Sequence, residues 1–426
     1  MNVLILEPNY SFFEKDIAQY ISSNGKVYSL IFNLGFLIYL HKTQNFFIHH
    51  HLKGYHYDEK DQELILITKT LLTEQLRKRI KRDLTDDQII YQMKYLSFLR
   101  DFLTQKQIDC VLMHNDLRWQ HALAIAICKE LGIKYLVTEF GIFRPSTITV
   151  DRRGVNAYSS ISKDTGIYDM YVPRHLPLKD YSLSKWKETI INSLFGGFLI
   201  LNSLGHLLSI NTPLQNQKYE PLNYLKLWLS QLFKPKRFSL DINIDQEYFF
   251  VPLQVNTDTQ ILIHSDFRDM QEFIEYVEKI YFSLPQEIQD KFKLVFKIHP
   301  MENSIYQYRF DNKSIVSYAD TKALLVHASL VITINSTVGF EALALHKKVL
   351  PLGNAFYKIN GISICTTKES LVNDIISVLN GKIDIDTNLI DKFVAYLKYE
   401  YQIHGSVYNY DENTLSEIKD RINARY

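Results

Sequence analysis

Cysteine is nearly absent from this chain, with three residues among 426. Cys110, Cys128 and Cys365 are widely spaced and sit in apolar stretches. That spacing excludes a disulfide framework and a cysteine-built metal site, and predicts buried small hydrophobes in a reducing compartment. Charge of one sign is missing as well. Lys and Arg number 48 against 47 Asp and Glu, a net charge of +1, so no global field or basic tail invites nucleic acid. Glycine is scarce, 15 residues beside 28 Tyr and 25 Phe, and no structural meaning is attached to the skew. There is no Walker lysine loop, no GxGxxG fingerprint and no HExxH. Carboxylate clusters with metal-ligand spacing are missing too, which favours a transfer chemistry with no metal and no cofactor.

The first residues, MNVLILEPNY, lack a basic region and a small-residue cleavage site, so they read as a first strand of a cytoplasmic protein. Residues 192–210 are apolar but are interrupted by Asn192, Asn202, Ser203 and His206. A membrane span needs ~20 mostly apolar residues, and this stretch reads as a packed helix or an interfacial one. The basic cluster Lys234, Lys236 and Arg237 supports the interfacial alternative.

A chain of this length exceeds one comfortable core, and two domains are expected. Short apolar strands at 3–6, 26–32, 110–115 and 134–141 alternate with helical patterns, among them 12–23, a long segment near 60–108, and 119–132 closed by Gly132. The pattern lapses over 161–245 and restarts with strands at 248–255, 260–265, 294–300, 314–319, 330–335 and 347–353. Helical material fills 366–426, and no repeat is evident. This alternation predicts an α/β fold of two Rossmann-like, doubly wound domains. Their expected bounds are 1–240, with a helical insertion at about 161–240, then 241–385, then C-terminal helices at 386–426 packing back on the first domain. In such sheets ligands bind beyond the carboxyl ends of the strands, where His114, Asp116, Glu139, Asp258, His264, His299 and Asn335 all fall.

Three constellations carry chemistry. In 297-KIHP-300 the proline holds His299 extended and aims it off the strand end, while Asn335, Ser336 and Thr337 open a helix whose N–H groups suit a phosphate. A core histidine and an ordinary N-cap are the plain alternatives. Asp258 lies past a strand amid Gln254, Asn256, Thr257 and Gln260, as a nucleophile or as an Asx-turn or helix cap. Arg144 and Arg118 flank Glu139 and His121 as forks for a carboxylate or phosphate, or as a surface salt-bridge loop.

The segments 139-EFGIFRPSTITVDRRGVNAYS-159, 252-PLQVNTDTQILIHS-265, 297-KIHP-300 and 335-NSTVGFEALALHKKVLPLGNAFY-357 resemble capsule polysaccharide biosynthesis proteins of the KpsS and KpsC type, the KpsS kind more closely. Phe12-Phe13 and 32-FNLG-35 fit as well. The resemblance implies a GT-B-like pair of domains with an interdomain cleft. It also implies a retaining transfer of β-Kdo from CMP-Kdo to a phosphatidylglycerol-type lipid at the inner face of the cytoplasmic membrane, feeding capsule assembly and an ABC exporter. It places His299, Pro300, Asn335, Ser336, Thr337 and Glu341 at the CMP phosphate, Asp258 as nucleophile and Glu139 in proton transfer. Arg144, Arg118, Gln254, His264 and Asn33 fall to the sugar or acceptor. The chain departs from the pattern at Phe140, where relatives carry a second acid, and 114-HND-116 is a loose match to a Gly-Asp segment. A non-catalytic export scaffold that binds glycolipid, or a transferase using another CMP-sugar such as CMP-sialic acid, remains open.

Overall fold

A computed structural model describes residues 1–173, 177–214, 247–302 and 308–423, and the chain divides into two units. The first comprises Met1–Ser160, His175–Trp228 and Lys398–Tyr426; the second comprises Ile161–Arg174 and Leu229–Leu397.

Strands β1 (Val3–Leu6), β2 (Val27–Ile31), β3 (Gln44–Phe47), β4 (Cys110–His114), β5 (Lys134–Phe140) and β6 (Thr147–Asp151) build the first sheet. A parallel strand covered on both faces requires an unbroken apolar run, and VLIL supplies one. Leu4 and Leu6 face a core with Phe32, Tyr95, Leu99 and Trp119, while Val3 and Ile5 face Phe13, Ile17, Phe198 and Ile418 on the other side. The second sheet holds β7 (Tyr248–Pro252), β8 (Lys293–Lys297), β9 (Ile315–Ser317), β10 (Leu330–Thr333) and β11 (Val349–Pro351), all parallel. Then β12 (Ile403–His404) returns to the first sheet and pairs antiparallel with β6.

The strand orders are β12-β6-β5-β4-β1-β2-β3 and β11-β10-β7-β8-β9. Each contains the doubly wound sequence in which the first strand of the unit lies between the second and the fourth. The direction of winding therefore reverses between β1 and β4 in one unit and between β7 and β10 in the other. A crevice opens beyond the strand ends at such a reversal.

Several expectations change. Residues 260–265 form a helix, Thr259–His264, and not a strand, because Asp258 caps it through a bond from the Gln260 N–H (2.9 Å). Its apolar run is buried on every side, so periodicity could not separate the two states. The long segment near 60–108 breaks into Asp61–Ile67, Leu71–Gln75, a π turn at Leu76–Ile80, and Asp86–Gln105. Capping boxes at Thr70 and Thr85 start two of those helices, as such reciprocal bonds do. Strand β6 is an added antiparallel member. Cys110 and Cys128 are buried, but Cys365 is exposed, since it alternates with the buried Ile364 and Thr366 along an extended segment.

The domain bounds also shift. Residues 161–174, expected in the first domain's insertion, belong to the second unit. There Lys163 donates to the carbonyls of Ala355 and Phe356, and Tyr168 packs on Phe393 and Tyr396. The expected bound at 240/241 and the cluster Lys234, Lys236 and Arg237 lie outside the described residues.

The apolar stretch forms the helix Lys185–Leu207, long and apolar enough to cross a membrane by length and composition, with 22% of its most apolar window buried. Phe198, Leu199, Asn202 and Gly205 are its buried residues, and it packs on the 3-10 turn Leu34–Ile38. Glycine makes that approach feasible. A Cβ on Gly35 would sit 2.5 Å from the Phe198 ring and 2.6 Å from its carbonyl oxygen. Gly35→Ala should therefore destabilise the protein by about 1–3 kcal/mol. It should also speed amide exchange across Lys185–Leu207 while leaving the second unit unchanged. Identical exchange along that helix would show that the contact does not hold it.

Candidate functional site

The second unit gathers most of its sequence-marked polar residues at the β7/β10 reversal. Gln254, just past β7, donates from Nε2 to Asp258 Oδ2 (2.9 Å) and to Asn335 Oδ1 (3.0 Å). Asn335, just past β10, returns its backbone N–H to Gln254 Oε1 (3.4 Å), and its Nδ2 reaches the carbonyls of Gln260 and Asn354. These amides act as a bracket across the switch point. Asn335 was expected at a phosphate, yet its donors serve the protein. Asp258 is both the expected acid and the plain helix cap, its two oxygens held by Gln254 and Gln260.

Ser336 caps the helix Thr337–Leu343 by accepting from the Val338 N–H (3.2 Å). The buried Tyr357 hydroxyl donates to the Ser336 carbonyl (2.6 Å), fixing the turn from below. Thr337 and Glu341 are exposed on this short helix, four residues apart and so on one face. At seven residues the helix adds little dipole, so the hydroxyls and first N–H groups are its main polar offer.

His299 follows β8 and is half-buried, with Pro300 exposed in the turn after it. Its Nδ1 accepts from the Met301 N–H (3.1 Å). Burial pushes the imidazole below its ordinary range, against the opposing charges of Asp258 and Glu302. The ring is therefore neutral near pH 7, and with Nδ1 accepting, the proton resides on Nε2 as a donor. Glu302, unnoticed in the sequence, braces this loop by accepting from the Asn256 N–H (2.6 Å) and the Tyr308 hydroxyl (2.6 Å). His264 is buried at the end of the Thr259–His264 helix, where its carbonyl accepts from the Asn354 N–H (2.7 Å).

The first unit holds a cluster of different character at its own reversal. Glu7, the residue after β1, is 4% exposed. It accepts from Asn33 Nδ2 (2.9 Å), Arg118 Nη1 (3.3 Å) and Gln120 Nε2. Burial pushes its acid upward, against the pull of Arg118, Asn33 and Gln120. Two residues expected at the sugar or acceptor, Asn33 and Arg118, thus converge on a carboxylate that the sequence reading passed over. Its position directly after VLIL was the available signal.

Beside it, Glu139 on β5 accepts from Asn115 Nδ2 (2.9 Å) and from the Phe140 N–H (3.0 Å). His114, at the end of β4, lies between Glu139 and Glu14, at 3.7 and 3.5 Å. Arg144 is exposed, with its guanidinium over the Phe140 ring at 5.1 Å and Nε donating to the Gly141 carbonyl. Asp116 turns to the Val155 N–H (2.8 Å), and burial pushes its acid up to about 7. Among the described residues no group of three or more His, Cys, Asp or Glu is placed to hold a metal ion.

Comparison with known proteins agrees with the motifs. The chain is 29% identical over 341 residues to the capsule polysaccharide export protein KpsS of Escherichia coli, covering 74% of this chain and 83% of that one. It is 26% identical over 345 residues to the capsule polysaccharide modification protein LipB of Neisseria meningitidis serogroup A, covering 73% and 78%. A solved structure, the beta Kdo 2,7 transferase of KpsC from Thermosulfurimonas dismutans, aligns over 99% of this chain and 100% of its own at 13% identity and a TM-score of 0.42. The family model of capsule polysaccharide biosynthesis proteins matches residues 109–180 and 230–408, more than half of the sequence. The chain belongs to the capsule polysaccharide biosynthesis protein family.

Proposed function

We propose that this protein is a retaining glycosyltransferase of capsule assembly. In this reading it moves β-Kdo from CMP-Kdo to a phosphatidylglycerol-type lipid or a short Kdo linker, without a metal. The observation that carries it is the neutral, oriented imidazole of His299 beside Asp258, in the unit whose switch point carries the Ser336 turn. A phosphodiester needs donors that do not leave a competing anion behind, and an imidazole Nε2–H, serine and threonine hydroxyls and backbone N–H groups supply them. The identity of the sugar and of the cytidylate rests on the motif resemblance, and membership of the capsule polysaccharide biosynthesis family supports a substrate among capsule building blocks.

The chemistry balances as two displacements. Asp258 bonds to the anomeric carbon while the bond from that carbon to the phosphate oxygen breaks, and the electron pair leaves with CMP. An acceptor oxygen then displaces the carboxylate, and its proton passes to Glu139. Two inversions at one carbon give retention. Arg118 and Arg144 are assigned to the sugar carboxylate or the lipid phosphate.

Contact with the inner face of the cytoplasmic membrane is part of this reading. Trp186, Ile200 and Leu207 are exposed on the helix Lys185–Leu207. A cavity of about 170 Å³ lined by Tyr10, Phe12, Ile190, Leu194 and Tyr408 opens beside it, apolar enough for part of an acyl chain. Delivery of the product to an ABC exporter completes the assignment.

One observation favours a second reading. The Asp258 carboxylate is already used as a helix cap, which is all a non-catalytic export scaffold binding glycolipid would need of it. Asp258→Ser separates the two, because serine caps a helix as well as aspartate does. Mass spectrometry of products from CMP-Kdo, or from CMP-sialic acid, with phosphatidylglycerol vesicles is the assay. The variant should bind donor yet lose about 10³-fold or more in transfer. Normal transfer would remove the nucleophile, and no wild-type product from either donor would leave the scaffold.

His299 makes a second prediction. A bound phosphate favours the charged imidazole, so the complex holds more protons than the free protein, and affinity must rise as pH falls. Titration calorimetry with the methyl ester of cytidine monophosphate, whose phosphate does not titrate nearby, should show proton uptake and tighter binding from about pH 7.5 to 5.5. His299→Ala should flatten that dependence. A flat profile in the wild type places the phosphate elsewhere.

A further inference from the structure

Behind Glu139 runs a line of buried polar groups for which the transfer scheme has no use. Glu14, on the helix Phe13–Ser22, is fully buried. Its Oε1 accepts from the Thr138 hydroxyl (2.5 Å) and its Oε2 from the Asn9 N–H (3.2 Å). Both oxygens of this carboxylate accept hydrogen bonds, as those of an ionised acid do, so Glu14 is an anion in the interior.

The direction of the remaining bonds follows. A threonine hydroxyl has one proton, and here it points to Glu14. The Thr138 oxygen can then only accept from His114 Nδ1, 3.1 Å away. The imidazole carries its proton on Nδ1, and Nε2 is left as the basic nitrogen. That nitrogen lies 3.7 Å from Glu139 Oε1, with 8% of the His114 side chain and 17% of Glu139 exposed. The Phe140 ring stands edge-on to the imidazole at 5.8 Å, closing one side from water. The other titratable neighbours are His121 on the helix Trp119–Leu131, kept neutral by burial, and Arg118 beyond it. The charges of Glu139 and Glu14 add to burial in pushing up Asp116 and Tyr408 respectively.

We infer that Glu14, Thr138 and His114 form a buried proton relay that orients Glu139 and receives the proton it takes from the acceptor. The inference rests on the reading of Glu139 given above. As the acceptor oxygen bonds to the anomeric carbon, its O–H bond breaks and the proton goes to Glu139 Oε1. The proton moves on to His114 Nε2, and Glu139 returns to its anionic form. The imidazolium is then held between Glu14 and Glu139, and releases the proton to water after the product leaves. His114, Thr138 and Glu14 act through Glu139 and are positioning residues.

The first arm of the test needs no substrate. Nitrogen-15 NMR of the full chain labelled on histidine, with His114 assigned through His114→Gln, should show the Nδ1–H tautomer at about pH 8. An Nε2–H tautomer or an imidazolium there overturns the relay, whatever the enzyme does. In the second arm, His114→Gln and Glu14→Gln should each lower kcat by about 10- to 100-fold, with KM changed less than about twofold. Combining His114→Gln with Glu139→Gln should cost no more than Glu139→Gln alone, since both lie on one path. Loss confined to KM, or additive losses, would reduce the three residues to packing. Should Glu14→Gln not fold, the near-isosteric Thr138→Val cuts the same link and should mix the tautomers and slow kcat severalfold. A wild type that transfers no sugar defeats the proposed function, and the tautomer still reads the relay separately.

Discussion

The side-chain amide of Gln254 is the joint on which the second unit's polar site depends. One amide nitrogen serves Asp258 and Asn335, and its oxygen takes the Asn335 N–H. Strands β7 and β10 are neighbours whose connections leave in opposite directions, so their ends would otherwise part and admit water. The Gln254–Asn335 pair closes that opening with neutral groups. It also fixes the loop that presents Asp258 and the turn that presents Ser336. A glutamate at 254 would put two carboxylates in contact, and a leucine would leave the polar groups of Asn335 facing an apolar chain. Glutamine alone supplies a donor and an acceptor without a charge.

The first unit solves the same topological problem with ions. Its reversal, between β1 and β4, is bridged by the Glu7 carboxylate, which takes donors from Asn33 past β2 and from Arg118 and Gln120 past β4. A buried carboxylate is costly unless donors surround it, and Asn33, Arg118 and Gln120 supply them. Glu139 on β5 and Glu14 on the helix Phe13–Ser22 add further carboxylates to this unit. Two sheets that share a strand order thus bridge their reversals differently, one with neutral amides and one with a buried carboxylate.

How much of this was legible in the sequence depended on whether a residue's neighbours are local. His299, Gln254, Asp258, Asn335 and Ser336 were marked because each follows an apolar run, and strand-end residues of a doubly wound sheet meet by topology alone. Glu14 was invisible for the opposite reason: in FFEKD it looks like an acid placed at the start of a helix. Only the partners His114 and Thr138, about a hundred residues away, reveal an interior anion. The run QILIHS failed as a strand because a short segment buried all round has no period to read. The two-residue β12 was missed since its partner β6 lies about 250 residues away and leaves no local trace, although β6 itself pairs antiparallel with the nearby β5.

The same distinction bears on Asp258. Its side chain is fixed by local bonds to Gln260 and Gln254, and a fixed carboxylate suits both a cap and a nucleophile. Capping needs one oxygen, and the Gln260 N–H engages Oδ1. The bond from Gln254 to Oδ2 is surplus to capping, and it ties the carboxylate to the same amide that braces the Ser336 turn. A cap alone gains nothing from coupling to a strand end 81 residues distant. A nucleophile does, since attack on an anomeric carbon demands that carboxylate and leaving phosphate keep a constant spacing. In the proposed transfer, the Gln254 amide is the group that holds that spacing, and this favours chemistry over scaffolding.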